Sequence, residues 1–167
     1  HEIWLKSEDR VVTAERIVIA VGGTPSVPAG IPGSEHGIVS DQAFDLAEIP
    51  KHIVIVGAGY ISVEFAGIFA GLGARTTIVH RGDEILRGFD EDCRQLLHSE
   101  YEKRGIKILT EVSPTEIRIS DDGTRKVTLS DGRVLETDCV MFATGRSPLT
   151  ENLGLENAGI ETDRNGS

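Results

Sequence analysis

Residues 53 to 73 read Ile53-Val-Ile-Val-Gly-Ala-Gly-Tyr-Ile-Ser-Val-Glu-Phe-Ala-Gly-Ile-Phe-Ala-Gly-Leu-Gly73. A run of β-branched residues ends in Gly57-Ala58-Gly59, and an apolar stretch of helical length follows at once. The pattern predicts a strand, a tight glycine turn and a helix. Such a turn brings backbone N–H groups at a helix start close to an anion, and the helix macrodipole favours negative charge there. Gly57 permits the turn, Ala58 lies within it, and Gly59 leaves room for a pyrophosphate. Ile61 offers an N–H at the helix start, so its role is positional. The third position of the G-x-G-x-x-G/A fingerprint is Ser62, small enough for helix and strand to pack closely.

Downstream, Ile61, Phe65, Ile68 and Leu72 fall at helical spacing, with Val63, Phe69 and small residues on other faces. This predicts a mostly buried helix that Gly73 ends. Arg75-Thr-Thr-Ile-Val79 is the second strand, and it ends about twenty residues after the fingerprint, where an NAD site carries an acid for the ribose 2′-hydroxyl. This chain has His80, Arg81 and Arg87 instead. Two guanidiniums suit a 2′-phosphate, which they bind with charge-assisted hydrogen bonds, so the residues point to NADP(H) over NAD(H).

Phe89 to Arg104 has the pattern of a surface helix, with Phe89, Cys93, Leu96 or Leu97, and Tyr101 as its apolar stripe. Acids at its start, Lys103 and Arg104 at its end and Gly105 beyond agree with the dipole and C-cap rules. Ile106 to Leu109 is expected as a third parallel strand. From Thr115 the period becomes two, with Ile117, Ile119, Val127 and Leu129 as apolar positions and Asp121-Asp-Gly123 and Asp131-Gly132 as turns. An antiparallel meander is expected there, and Asp138 to Thr144 returns as a buried strand ending in Gly145.

Upstream, Glu2 to Leu5 and Arg16 to Val21 are expected as two strands joined by a charged turn around Ser7 to Arg10. Residues 24 to 36 are a linker by their Pro and Gly content. Asp41 to Leu46 is expected as a short helix capped by Ser40 or Asp41, and Pro50 stops it. The fold class is therefore α/β: a Rossmann-like βαβ parallel sheet with an antiparallel meander, in three layers.

With 167 residues the chain can bury the core of one ordinary domain. Its formal net charge of −10 argues against nucleic acid or an anionic membrane as partner, which makes the arginines at 81 and 87 local exceptions. Cys93 and Cys139 are too few and too far apart for a disulfide framework or a zinc site, and are expected as reduced, mostly buried thiols. No spacing of His, Cys, Asp or Glu suggests a metal. No signal peptide or membrane span is visible, and a cytoplasmic location is expected.

The stretch GAGYISVEFAGIFAGLG followed by HRGDEILRGFDED resembles the pyridine-nucleotide domain of the flavoprotein disulfide reductases, and within them the glutathione reductases of bacteria and plants. Ile17-Val-Ile-Ala-Val-Gly-Gly-Thr-Pro25, with Pro28 and Ile31-Pro-Gly33, resembles the segment leaving the FAD domain of that family. Met141-Phe-Ala-Thr-Gly-Arg-Ser-Pro148 and Asn152-Leu-Gly-Leu-Glu156 resemble the segment returning to it. The resemblance implies an excised central fragment: residues 1–49 as FAD-domain strands and linker, 50–145 as the NADP-binding domain, and 146–167 as the return segment. It implies NADPH as ligand here, and FAD, glutathione disulfide and a homodimer for the intact enzyme. The CxxxxC redox pair and the catalytic-histidine segment of the family are absent from this sequence. No catalytic residue is therefore expected in this chain, which should bind NADPH and reduce no disulfide alone.

Three residues keep two readings each. Glu64 is a carboxylate favoured by the helix N-terminal dipole, or, as the resemblance implies, a contact of the nicotinamide carboxamide whose lysine partner is missing here. Tyr60 is an aromatic anchor at the helix start, or the tyrosine that in the family covers the flavin and swings away when NADPH arrives. Gly145 should come near the cofactor at the carboxyl edge of the sheet; Arg146 beside it does so too, or serves as a structural ion-pair partner. His80 occupies the place where NAD-specific relatives such as lipoamide dehydrogenase carry glutamate. Trypanothione reductases and lipoamide dehydrogenase-like enzymes are the nearest alternatives, and a non-catalytic nucleotide-sensing Rossmann module is the alternative of a different class.

Overall fold

The computed structural model describes residues 2–167, which separate into two compact units, one of residues up to 24 together with 146–167, the other of residues 25–145. The first unit begins with an antiparallel hairpin of β1 (Glu2–Leu5) and β2 (Arg10–Thr13), with Asp9 at a φ of 46° in the turn. The strand expected at Arg16 to Val21 does not form. Arg10–Thr13 takes the place opposite β1, and the β-branched run has no ladder to join among the described residues. Val18 is 87% exposed. A short strand, β3 (Gly23–Pro25), follows.

The second unit holds the core. Residues 25–49, expected to go with the N-terminal remnant, pack with this unit instead. Two backbone ties explain it: Pro32 O accepts from Ile117 N–H at 2.8 Å, and Ile38 bridges in parallel to Met141. The helix expected near residue 41 is one turn, α1 (Ser40–Ala43), and its start is closed by Gln42, whose Oε1 accepts from Val39 N–H at 3.0 Å. Neither Ser40 nor Asp41 is the cap.

Then come β4 (His52–Val56), α2 (Tyr60–Gly71), β5 (Arg75–Val79), α3 (Glu91–Lys103), β6 (Lys107–Leu109), β7 (Pro114–Ile119), β8 (Arg125–Leu129), β9 (Val134–Thr137) and β10 (Cys139–Phe142). Four strands form a parallel sheet in the order β10-β4-β5-β6, and β7-β8-β9 form the antiparallel meander. The strand period of two builds three layers from these parts. Ile53, Ile55 and Ile78 pack with Val63, Phe65, Phe69 and Tyr101 of the two helices. Val54, Val56 and Val79 pack with Ile117, Val127 and Leu129 of the meander. Both faces of β4 are apolar because both are covered.

Two helix faces differ from expectation. On α2 the buried residues are Ser62, Val63, Phe65, Ala66 and Phe69, while Ile68 and Leu72 are 48% and 58% exposed. On α3, Asp90 is the N-cap, its Oδ1 accepting from Asp92 and Cys93 N–H groups. Tyr101 is buried and donates to Val63 O at 2.8 Å, whereas Phe89, Leu96 and Cys93 are exposed. The inward face of α3 runs through Arg94, Leu97 and Tyr101. Cys93 is thus not the buried thiol expected, while Cys139 is, and burial pushes its thiol pKa up. The return segment contributes β11 (Arg146–Pro148), which pairs with β3.

His52, buried at the amino end of β4, shapes the response to acid. Its Nδ1 lies 2.6 Å from Glu136 O and its Nε2 3.1 Å from Thr77 Oγ1. Burial lowers its pKa, and the nearby Arg75 guanidinium lowers it further. His80 is lowered too, by burial first and then by Arg81. Both groups bind protons more readily unfolded than folded. Their contribution is therefore intact above the ordinary histidine pKa of about 6.5 and is lost as pH falls from there toward the lower folded values. Thermal melts between pH 7.5 and 5.5 should show the midpoint falling on acidification, with a smaller fall in a His52→Gln variant; a midpoint that rises below pH 6.5 would contradict this assignment.

Candidate functional site

The candidate site lies at the carboxyl edge of the parallel sheet, where β4 runs through the glycine turn into α2. Gly57 sits at a φ of 116°, and a Cβ there would run into the Ala143 carbonyl at the end of β10. Its N–H donates to Val79 O at 2.9 Å, so the turn is tied to β5 as well. Ser62, at the third fingerprint position, is fully buried and donates its hydroxyl to Gly57 O at 2.6 Å. A serine here closes the turn by a hydrogen bond that glycine or alanine lacks.

Gly59 is the N-cap of α2 and has an ordinary φ of −75°. A Cβ at this position would meet nothing within 4 Å. The freedom of Gly59 is therefore not required by the backbone, and the space beside it is open. No side chain caps α2, whose first helical N–H groups, on Tyr60, Ile61 and Ser62, precede the Val63 N–H bond to Gly59 O at 3.1 Å. An uncapped helix start beside open space is suited to an anion brought from outside.

Ala58 is buried, and its carbonyl accepts from Leu86 N–H at 2.7 Å. This bond joins the turn to the loop that follows β5. His80 at the loop start is held by backbone bonds to Leu109 and Val112, and Gly82 O accepts from Glu111 N–H, so Arg81 is flanked by anchored backbone. Arg81 and Arg87 are exposed, and among the described residues neither takes part in an ion pair. Tyr60 is 56% exposed, Ile61 is half-buried, and Glu64 is exposed with no ion pair among the described residues. Gly145, at a φ of 142°, follows β10 and accepts from Ser26 N–H at 2.9 Å. The Arg146 guanidinium donates to Gly23 O, so its role within the first unit is a backbone contact.

The site thus brings Gly57, Ala58, Gly59 and the α2 start together with the Arg81–Arg87 loop through one shared hydrogen bond. Sequence reasoning missed the residues that hold that loop. Ile85 is fully buried beneath it, Arg94 Nε donates to Ile85 O at 2.7 Å, and His98 donates to Glu84 at 2.6 Å. The available signal was the inward phase of α3, which the apolar stripe obscured.

The family model described as pyridine nucleotide-disulphide oxidoreductase matches residues 2–167. The chain belongs to the pyridine nucleotide-disulphide oxidoreductases. Its relatives within that family include a glutathione reductase of Nostoc sp., 46% identical over 92% of this chain and 33% of its own length. A trypanothione reductase of Trypanosoma congolense is 44% identical over 90% of this chain and 31% of its own length, and the chloroplastic/mitochondrial glutathione reductase of Pisum sativum is 42% identical over 96% and 29%. The chain spans about a third of the length of these relatives. Among solved structures of the family, the HOCl-induced flavoprotein disulfide reductase RclA from Escherichia coli superposes with a TM-score of 0.87 at 30% identity, covering 96% of this chain and 37% of that one. The α/β fold of a flavoprotein disulfide reductase of glutathione reductase type is therefore established. No helix among the described residues is long and apolar enough to cross a membrane, and among them no group of His, Cys, Asp and Glu is placed to hold a metal ion.

Proposed function

We propose that residues 50–145 bind NADPH and serve as the nicotinamide-nucleotide domain of a flavoprotein disulfide reductase, with glutathione disulfide as the final acceptor in the intact enzyme. The observation that carries the reading is the placement of two exposed guanidiniums, Arg81 and Arg87, neither ion-paired among the described residues, on the loop after β5 that Leu86 N–H ties to the fingerprint turn beside Arg87. The pyrophosphate fits the open space beside Gly59 and the uncapped N–H groups of α2. The 2′-phosphate fits the two guanidiniums, and Tyr60, Ile61 and Glu64 lie on the first turns of α2, toward the nicotinamide end.

Hydride donation toward a flavin is the chemistry that bound NADPH supplies. This chain's own residues bind and orient: Gly57 and Ser62 fix the turn, Gly59 clears the approach, and Arg81 and Arg87 select the phosphorylated dinucleotide. For FAD, the first unit offers a hairpin, a strand pair and one 3-10 turn at Leu155–Ala158. Among the described residues these elements do not make up a flavin site. The identities to glutathione and trypanothione reductases overlap, and the ISVEFAGIF run resembles both, so glutathione as substrate rests on the Ala70-Gly-Leu-Gly73 run that follows Phe69.

Calorimetric titration of the chain with NADPH and with NADH tests the reading. NADPH should bind more tightly, its excess shrinking as salt rises because exposed charges are screened. The same preparation should turn over no glutathione disulfide. Equal affinity for the two dinucleotides would reduce Arg81 and Arg87 to surface charges and overturn the reading.

A further inference from the structure

The loop that carries Arg81 and Arg87 is built under tension and held from behind. Leu86 adopts a φ of 53°, a left-handed conformation that costs a non-glycine residue energy and persists only where its surroundings enforce it. What enforces it is visible on both sides. In front, Leu86 N–H donates to Ala58 O at 2.7 Å, inside the fingerprint turn. Behind, the preceding residue, Ile85, is fully buried, and its carbonyl accepts from Arg94 Nε at 2.7 Å. The Arg94 side chain is only 14% exposed, and its Nη1 is held by Glu91 at 2.5 Å, one turn earlier on α3. Glu84 Oε1 accepts both Ile85 N–H at 2.8 Å and His98 Nδ1 at 2.6 Å. Both backbone polar groups of Ile85 are therefore fixed by α3 or by Glu84, which α3 holds.

We infer that Arg94 is a positioning residue for dinucleotide specificity: by holding the Ile85 carbonyl it keeps Leu86 in its left-handed conformation and so sets where Arg87 presents its guanidinium relative to the pyrophosphate turn. The inference rests on the NADPH reading of the site. The Arg94 side chain is largely enclosed and two of its guanidinium nitrogens are bonded within this chain, Nε to Ile85 O and Nη1 to Glu91, so it acts on the ligand through the backbone it holds. Without the bond to Ile85 O, the peptide between Ile85 and Leu86 is held from one side only, by Leu86 N–H to Ala58 O, and the strain at Leu86 has a route to relax. Arg87 then samples orientations of which few match a bound phosphate. NADH has no 2′-phosphate, and its affinity does not depend on that geometry.

The test is calorimetric titration of the chain and its Arg94→Gln, Arg94→Lys and Arg81→Ala/Arg87→Ala variants with NADPH and NADH, with a melt of each. Arg94→Gln should lower the NADPH-over-NADH ratio by about tenfold, the worth of one misaligned charge-assisted hydrogen bond, while NADH affinity holds. Arg94→Lys, which keeps charge and one donor, should restore part of the ratio. If the double variant loses the preference but Arg94→Gln and Arg94→Lys both keep it, Arg94 is a structural residue and the inference fails while the site reading stands. If the double variant keeps the preference, or the unaltered chain binds neither dinucleotide, the site reading fails and the inference with it. Equal losses of NADPH and NADH affinity in both Arg94 variants also overturn it.

Discussion

Removing both guanidiniums in an Arg81→Ala/Arg87→Ala variant should weaken NADPH binding by about 2–4 kcal/mol, roughly 30- to 1,000-fold, with NADH affinity unchanged within about threefold. Two hydrogen-bonding groups facing a dianionic phosphate would give more if they were buried. Both arginines are exposed, however, and solvent screening brings the sum down. The fold should not suffer, because neither side chain is ion-paired among the described residues and the backbone around each is held by other groups. Melting midpoints within a degree or two of the unaltered chain would make the affinity loss a statement about recognition. An NADPH loss matched by an equal NADH loss would instead mean that the arginines support the loop and do not select the phosphate.

The second large effect concerns stability. Gly57→Ala should destabilise the second unit by about 2–5 kcal/mol, since it adds strain at a φ that side chains rarely adopt to a Cβ driven into the Ala143 carbonyl. Ordinary domains have only about 5–15 kcal/mol in total, so a large fall in melting midpoint is expected. Gly59→Ala is the informative contrast. With an ordinary φ of −75° and nothing within 4 Å of the added carbon, it should change stability by less than about 1 kcal/mol, yet occupy the approach to the α2 N–H groups and abolish dinucleotide binding. Two glycines two positions apart would then fail for opposite reasons. A Gly57→Ala chain that melts like the parent would show that the turn can move away from β10.

The parts of this chain that were legible from its residues are those where local and distant requirements coincide. Ile53 to Val56 is β-branched, and the strand it forms is covered on both faces, so propensity and burial agree. Gly57 was legible because a positive φ leaves few alternatives to glycine. Arg16 to Val21 has the same local character as β4 and yet is not a strand. A strand is a pairing, and the partner for this one is not among the described residues. The phase of α3 was hidden for a different reason: two of its inward positions are Arg94 and His98, whose polar groups are satisfied by Ile85 O and Glu84. Hydrophobic periodicity scores such residues as outward and so rotated the predicted stripe onto exposed Phe89, Cys93 and Leu96. The loop that presents Arg81 and Arg87 was found by its place after β5, but its support was not, because a buried arginine looks like any other in a sequence.

The strand order carries a consequence for how the chain reaches this state. β10 lies beside β4, and the contact of His52 N–H with the Asp138 carboxylate joins residues 86 positions apart. The centre of the sheet therefore pairs its earliest-made strand of the second unit with its last. During synthesis β4, α2 and β5 can associate as they emerge, but one edge of β4 stays open until Phe142 has left the ribosome. For the time it takes to make the meander, one edge of β4 and its meander-facing side chains, Val54 and Val56, have no permanent neighbour. A chain stopped before Cys139 should accordingly be captured by chaperones or aggregate, while one extended past Phe142 should close its core.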